Sequence, residues 1–433
     1  MSAPPPGARA LSKRALRGKR LGVLAVAMTV ATVVFLAGVQ YWRGLFDLSI
    51  YYGAIHHWVR GGALYDYLLP GTSYGFTYPP FAALVMLPMA LASYPVVVAA
   101  SAALNVGCLL LLAYWFVRPI ARRQGWPVWF AVVAAGCLLA LLEPVYDTVS
   151  FGQVNLILMV VVFADARLLA GTTRFVRHRR CAGVGAGLAT ALKLTPGLFI
   201  VYLLLAGRRR AAAVASGTAC GATLLAAIVA PHASWTYWTE ALWQTERVGS
   251  PAYISNQSLL GVLARLDPSQ PPNRAVWLVL VAVVLAGWAY AVRKVLGATD
   301  VLGGFALTGV AACLVSPISW VHHLVWLIPA LVLTVDAGLC ATGARRRRIL
   351  LGAGCAYVTL VSSLVFLWRY DASGIDGVLG GSAFCWVAVG LLLCLPVVRW
   401  STPLVGSYVR NGGSRWAAYR SARGTAATGG TRR

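Results

Sequence analysis

The sequence predicts an all-α, polytopic membrane protein, and three observations carry that expectation. Hydrophobic residues fill 59% of the 433 positions and charged residues only 11%, with a mean hydropathy of +0.73, far to the apolar side of soluble chains. The apolar residues come in continuous blocks near the roughly 20 residues that cross a bilayer as helix, not in the ten-residue alternation of a β-barrel. The formal charge of +25 is dispersed over short connectors and the two ends. That dispersal follows the positive-inside pattern and excludes a nucleic-acid partner as the reason for the charge. The nine cysteines lie in or beside apolar blocks with no Cys-x-x-Cys spacing, so buried free thiols are expected rather than a disulfide framework or a metal site.

Taken in order, residues 1–20 read as a basic cytoplasmic tail and 21–41 as an uncleaved first span. Residues 45–78 then form a first outer loop. The stretch 79–92 is short for a span and is followed by Ser93, Tyr94 and Pro95, which predicts one return passage over 79–117 with a broken, partly re-entrant first part. Arg118, Arg122 and Arg123 mark the inside. Passages at 126–142 and 152–170 are joined on the outer side by LEPVYDTVSFGQVN, and Arg174, Arg177, Arg179 and Arg180 bring the chain inside again. The block 181–206 carries Lys193 at its middle, with Pro196 close behind and Arg208 to Arg210 after it. Two short helices meeting at 193–196 are expected, with irregular backbone at membrane depth, which is tolerable only inside protein or beside a wet cavity.

Residues 211–231 lead out to a second outer loop, 232–273. Passages at 274–296, 301–316, 321–338, 349–368 and 382–398 follow, and the Gly-, Ser- and Arg-rich stretch 401–433 reads as a disordered basic tail. The membrane domain thus covers 21–400 with about twelve helices, short broken ones included. Arg43, Arg60, Arg247, Arg265, Arg274 and Arg369 fall outside, Lys193 falls within the membrane, and the rest of the 37 basic residues fall inside.

Chemistry concentrates in the first outer loop. Asp47 stands where the first span emerges, a half-dry boundary that raises a carboxylate's pKa and its strength as a base. A carboxylate capping a short helix that starts near Ser49 explains the same position equally well. Lys193 is a single ammonium in an apolar block, costly by about 3 kcal/mol on insertion scales unless paired or used, and an anionic headgroup suits it. His322 and His323, in LVSPISWVHHLVWLIPALV, are adjacent, so at most one ring points into a given cavity, where it is able to bind phosphate oxygens or sugar hydroxyls. An interfacial Trp-His belt is the plainer account of the pair. Gln153 and Asn155 in FGQVN, Asn256 and Gln257 in SNQSLL, and Tyr78 in FTYPPF complete the candidate substrate-binding set. The amides suit sugar hydroxyls as well as they suit helix caps or interhelical bonds. His56 and His57, being neighbours on a helix, face different ways. Gly-rich phosphate loops, zinc-ligand spacing, G-x-S-x-G and Asp-x-Asp are missing from the sequence, so no metal or other cofactor is expected.

FDLSIYY, GGALYD, FTYPPFAAL, GQVN, LKLTPG, SNQSLLG and SPISWVHHLVWL, in this order from about Leu45 to Leu331, resemble the GT-C integral-membrane glycosyltransferases of family 87. That family includes actinobacterial polyprenyl-phosphate-mannose-dependent α-(1→2)-mannosyltransferases acting on phosphatidylinositol mannosides and lipomannan. The resemblance implies inverting mannosyl transfer from a β-linked polyprenyl phosphate to a glycolipid or lipoglycan hydroxyl at the outer face. It also implies that Asp47 is the base, with Lys193 and one of His322 or His323 near the donor phosphate. A carrier or flippase of lipid-linked sugars is the competing class, since it too needs an outward cavity with a buried lysine. A scaffold subunit of an envelope complex is the third. Transfer in detergent, with no membrane to cross, separates the first from the others.

Overall fold

The computed structural model describes residues 6–39, 43–171, 180–297, 300–370 and 372–396. The expected tail at 401–433, the first five residues and Arg174, Arg177 and Arg179 lie outside the described residues. Within them the protein is helical throughout, with eighteen α-helices and only two isolated β-bridges, Leu68 to Gly75 and Asn256 to Trp320.

The first helix, α1 (Pro6–Val39), begins inside the basic segment expected as a tail, because Ala, Leu, Lys and Arg are good helix formers. Gly44 and Leu45 then adopt positive φ (65° and 55°), and α2 (Phe46–Val59) starts from that turn. A left-handed leucine costs about 1–2 kcal/mol. It is held by Leu45 N donating to the Ser150 carbonyl at 2.9 Å, which fixes the direction of α2. After an irregular segment, 60–79, come α3 (Pro80–Met86), a 3₁₀ turn over Leu87–Leu91, and α4 (Tyr94–Arg123). The chain therefore breaks at Ala92–Ser93, where the short apolar stretch and Pro95 predict it.

Next are α5 (Val128–Ala140) and α6 (Glu143–Phe151), bent by 76° against each other, then α7 (Asn155–Leu169). Lys193 is extended (φ −155°, ψ 126°) between α8 (Val184–Leu192) and α9 (Leu198–Leu205), so the predicted interruption is present. The chain continues through α10 (Arg209–Val229), α11 (Pro231–Thr236), α12 (Leu259–Leu266), α13 (Arg274–Gly297) and α14 (Val301–Val315). A 3₁₀ segment, Val321–Leu327, precedes α15 (Ile328–Cys340), and α16 (Gly343–Val361), α17 (Gly374–Leu379) and α18 (Ala383–Cys394) close the described chain.

Five helices among the described residues are long and apolar enough to cross a membrane, or six if the bent α5–α6 pair is one span. Their apolar surface points largely outward: Val26, Val33 and Val34 on α1, Leu224 and Ile228 on α10, and Val279 and Val283 on α13 are exposed. Water does not tolerate so continuous an apolar surface, whereas lipid tails do. The protein is a polytopic membrane protein. In contrast α14 is buried on every side from Val301 to Leu314, as expected of a helix apolar all round. Thr308, its lone buried hydroxyl, accepts from Trp288 Nε1 at 3.2 Å and donates to the Gly304 carbonyl.

Polar locks tie the bundle together. Arg123 pairs with Asp336, joining α4 to α15, and Asp165 accepts from Ala186 N at 2.8 Å, joining α7 to α8. Arg43 bonds Asp147 at 3.0 Å and Glu143 at 3.2 Å, with its guanidinium 4.7 Å from the Phe366 ring centre and Glu143 also taking the Ser363 hydroxyl. This triad clamps the entry of α2 onto α6. Removing one member of a buried ion cluster strands the others, a cost on the order of 3 kcal/mol. Arg43→Ala is therefore expected to lower the melting temperature of the detergent-solubilised protein by several degrees, and an unchanged melting temperature would contradict the clamp.

Candidate active site

Asp47 lies in the first turn of α2, one residue inside a helix whose N-terminus has no side-chain cap. The capping alternative is thereby overturned, since the helix starts at Phe46 and the Asp47 carboxylate is turned elsewhere. Its Oδ2 accepts from Gln153 Nε2 at 2.7 Å. Gln153 reaches it because Gly152 ends α6 with φ 71° and, lacking a Cβ, comes within contact of Leu48; a Cβ there would stand 2.5 Å from the Leu48 Cβ. Only glycine meets both demands.

From Gln153 the network runs on. Tyr78 donates to Gln153 Oε1 at 2.7 Å and itself accepts from Tyr51 at 3.1 Å and from Lys193 Nζ at 3.3 Å. The ammonium also donates to Asn155 Oδ1 at 3.1 Å and meets His323 Nε2 at 2.8 Å. Since an ammonium only donates, Nε2 acts as acceptor and His323 carries its proton on Nδ1. Asn155 is aimed by its Nδ2, which donates to the His322 carbonyl at 3.0 Å. Thus Asp47, Gln153, Tyr78, Lys193, Asn155 and His323 form one hydrogen-bonded line. Gln153, Tyr78 and Asn155 are buried, while Asp47, Lys193 and His323 keep partial exposure.

The adjacent histidines divide their duties. The His323 ring joins the lysine, whereas His322, 3% exposed, packs its ring 5.2 Å from Phe151 with neither ring nitrogen partnered among the described residues. Such a ring suits a ligand group that the protein does not itself provide.

Asn256 and Gln257 do not join the cluster. Asn256 Nδ2 donates to the Pro251 and Pro317 carbonyls and its Oδ1 accepts from Ser258 N and Ser319 N. Gln257 Nε2 donates to the Ile254 and Gly381 carbonyls and its Oε1 accepts from Cys385 N. With both amides saturated, sugar binding gives way to a clamp that supports the Ser316–Val321 segment entering the histidines. Elsewhere His56 folds back on the Tyr52 carbonyl at 2.9 Å, and His57, Asp66 and Glu240 are exposed. The Glu246 side chain lies outside the described residues. Tyr51 and Asn105, which the sequence did not single out, support the line. Asn105 Nδ2 donates to the Gln153 carbonyl at 3.2 Å, and its sequence signal is a lone amide within an apolar span.

A cavity of about 330 Å³ opens beside the line, with Tyr78 and Gln153 at its polar end and Met86, Val97, Leu104 and Leu192 along an apolar remainder. Among the described residues no group of three or more His, Cys, Asp or Glu is arranged to hold a metal ion.

A carboxylate and an ammonium tied into one hydrogen-bonded line, beside an apolar cavity that Tyr78 and Gln153 of that line share, are groups able to serve a group transfer. The comparisons with known proteins make the assignment: residues 76–317 match glycosyltransferase family 87, and the chain belongs to that family and is a glycosyltransferase. It is 34% identical over 340 residues to the polyprenol-phosphate-mannose-dependent alpha-(1-2)-phosphatidylinositol mannoside mannosyltransferase of Mycobacterium tuberculosis, covering 74% of this chain and 75% of that one. It is 31% identical over 420 residues to the protein of the same name from Mycolicibacterium smegmatis, covering 88% and 92%. It is also 34% identical over 332 residues to the M. smegmatis polyprenol-phosphate-mannose-dependent alpha-(1-2)-phosphatidylinositol pentamannoside mannosyltransferase, covering 73% and 74%. No solved structure matches the chain.

Burial pushes the Asp47 carboxyl up to about 6, against the Gln153 hydrogen bond and the Lys193 charge, which both hold it down. With Asp47 as the base proposed below, the carboxylate is the active form, so kcat/KM is expected to rise with pH through about 6 and then level off. Gln153→Leu removes a stabiliser of the carboxylate and is expected to move that rising limb to higher pH. A limb that stays in place in the variant would separate Gln153 from the titrating group.

Proposed function

We propose that this chain transfers mannose from polyprenol-phosphate-mannose to a phosphatidylinositol mannoside or related lipoglycan, forming an α-(1→2) linkage with inversion. The observation that carries the reading is the line from Asp47 to Lys193 through Gln153 and Tyr78, set against the apolar cavity that the same Tyr78 and Gln153 line. A polyprenyl chain fits the cavity's apolar part, and its phosphate falls to Lys193.

In the reaction the acceptor hydroxyl oxygen bonds the anomeric carbon while the bond from that carbon to the phosphate oxygen breaks. The electron pair leaves with the phosphate, where Lys193 and the unpartnered His322 ring meet the growing charge, and Asp47 takes the hydroxyl proton. Phosphate leaves as an anion without a protein acid, so one carboxylate suffices, in contrast to glycoside hydrolysis with its carboxyl pair. Glu143 and Asp147 are engaged by Arg43, whereas Asp47 is the carboxylate joined to the line that reaches Lys193.

The wider reading is a GT-C architecture with the site at the outer face and both ends in the cytoplasm. The distribution of basic residues along the sequence supports that orientation. The shorter apolar helices Pro80–Leu91, Thr195–Leu205, Val301–Val315 and Ala383–Cys394, with α7 and α16, support about twelve passages beside the long spans.

Asp47→Asn is expected to keep the fold and donor binding while lowering kcat about 10³-fold, the scale of a lost general base. Lys193→Met is expected to lower kcat about 10²-fold, the scale of one lost charge-stabilising donor. Transfer is measured in detergent with purified lipid donor and acceptor. Near-normal turnover by the Asp47 variant would remove that residue from the mechanism, and donor uptake without any new glycosidic bond would favour a carrier.

A further inference from the structure

Helix α4 separates two cavities. One is the donor-side cavity at Tyr78. The other, about 520 Å³, lies between α1, α4 and the α5–α6 pair, lined by Leu36, Asn105, Leu109, Ala140, Val145 and Val149 among others. Its volume is within the range of small-ligand sites, and its walls are almost wholly apolar. The one amide in it is Asn105, which is 1% exposed. Both Nδ2 protons of Asn105 are used, one on the Ser101 carbonyl at 3.0 Å and one on the Gln153 carbonyl at 3.2 Å. That fixes the amide's orientation and leaves Oδ1, with no partner among the described residues, as a buried acceptor lacking a donor. An unmet buried acceptor is costly, and a ligand hydroxyl relieves it.

The second cavity shares no lining residue with the first and is linked to it through Asn105, whose Nδ2 donates to the carbonyl of Gln153 in the first cavity's wall. Its α6 wall ends at Gly152 and Gln153, and Asn105 holds the backbone of the residue that holds Asp47. Resting on the function proposed above, the reaction joins two lipids, each with a tail in the bilayer and a headgroup at one carboxylate. The donor phosphate belongs with Lys193, hence with the cavity that Leu192 and Tyr78 line. The acceptor needs a separate way in. We propose that the α1–α4–α6 cavity holds an acyl chain of the glycolipid acceptor, with Asn105 Oδ1 accepting a hydrogen bond from a hydroxyl of the same lipid. The two cavities then deliver donor and acceptor to opposite sides of Gln153.

The test compares two acceptors, a diacylated phosphatidylinositol mannoside and its deacylated, water-soluble counterpart, in wild type, Ala140→Phe and Val106→Phe, each ring filling the cavity from a different wall. Transfer to the deacylated acceptor reports on folding and chemistry in every variant. The expected result is that KM for the diacylated acceptor rises about tenfold in each, the loss of roughly two buried methylenes, while KM for the deacylated acceptor and for the donor stays within about twofold. Equal loss with both acceptors, a rise in donor KM instead, or no change with either would overturn the assignment. Absence of transfer by the wild type to either acceptor would remove the parent reading and this one with it, an outcome distinct from all three.

Discussion

The site depends on one amide. Gln153 offers its Nε2 to a carboxylate and its Oε1 to a phenol that in turn touches an ammonium. Reversing that amide would set a carbonyl oxygen against Asp47, so the side chain has one workable orientation. A carboxylate and a lysine are thereby kept in fixed relation without a direct ion pair. A direct pair between them would satisfy both charges and leave neither for substrate. With neutral groups interposed, the two charges are linked without pairing directly. The low-dielectric surroundings strengthen every contact in the line.

The scaffold around Gln153 follows from that demand. Gly152 gives the sharp turn and the close approach to Leu48. The left-handed Leu45, bonded to Ser150, and the Arg43 clamp on Glu143 and Asp147 lock α2 to α6, so that Asp47 arrives beside the glutamine. Across the site, the broken helix at Lys193 and the 3₁₀ segment at Val321–Leu327 are places where backbone departs from α-helix among buried apolar residues. Irregular backbone at such depth requires partners. The His322 carbonyl finds them in Asn155 and Thr148, which both donate to it. Strain and polarity are thus gathered where the chemistry needs them, while the long outer helices are plain apolar cylinders.

Much of this was legible in the sequence for a physical reason: a polar residue in an apolar block is expensive and so conspicuous. Lys193 stood out that way, Asp47 and Tyr78 came from the polar first outer loop and Gln153 and Asn155 from a short connector, and the break at 193–196 followed from lysine, proline and flanking arginines. The choice between His322 and His323 was not legible, because adjacent residues differ only in direction, which tertiary packing decides. Asn256 and Gln257 misled because an amide that clamps carbonyls and one that binds sugar have identical composition. The central position of α14 was equally hidden, since a span facing protein and one facing lipid are both simply apolar. The cavities, formed between helices distant in sequence, leave no local signature.

The proposed mechanism is a single displacement assisted by one carboxylate. The most direct test is the anomeric configuration of the new linkage, read by nuclear magnetic resonance from product made by the purified chain with a β-linked lipid donor. A single displacement predicts an exclusively α-linked product. A β-linked product would require a second, covalent step on a nucleophile that Asp47 as base does not provide, and would contradict the mechanism.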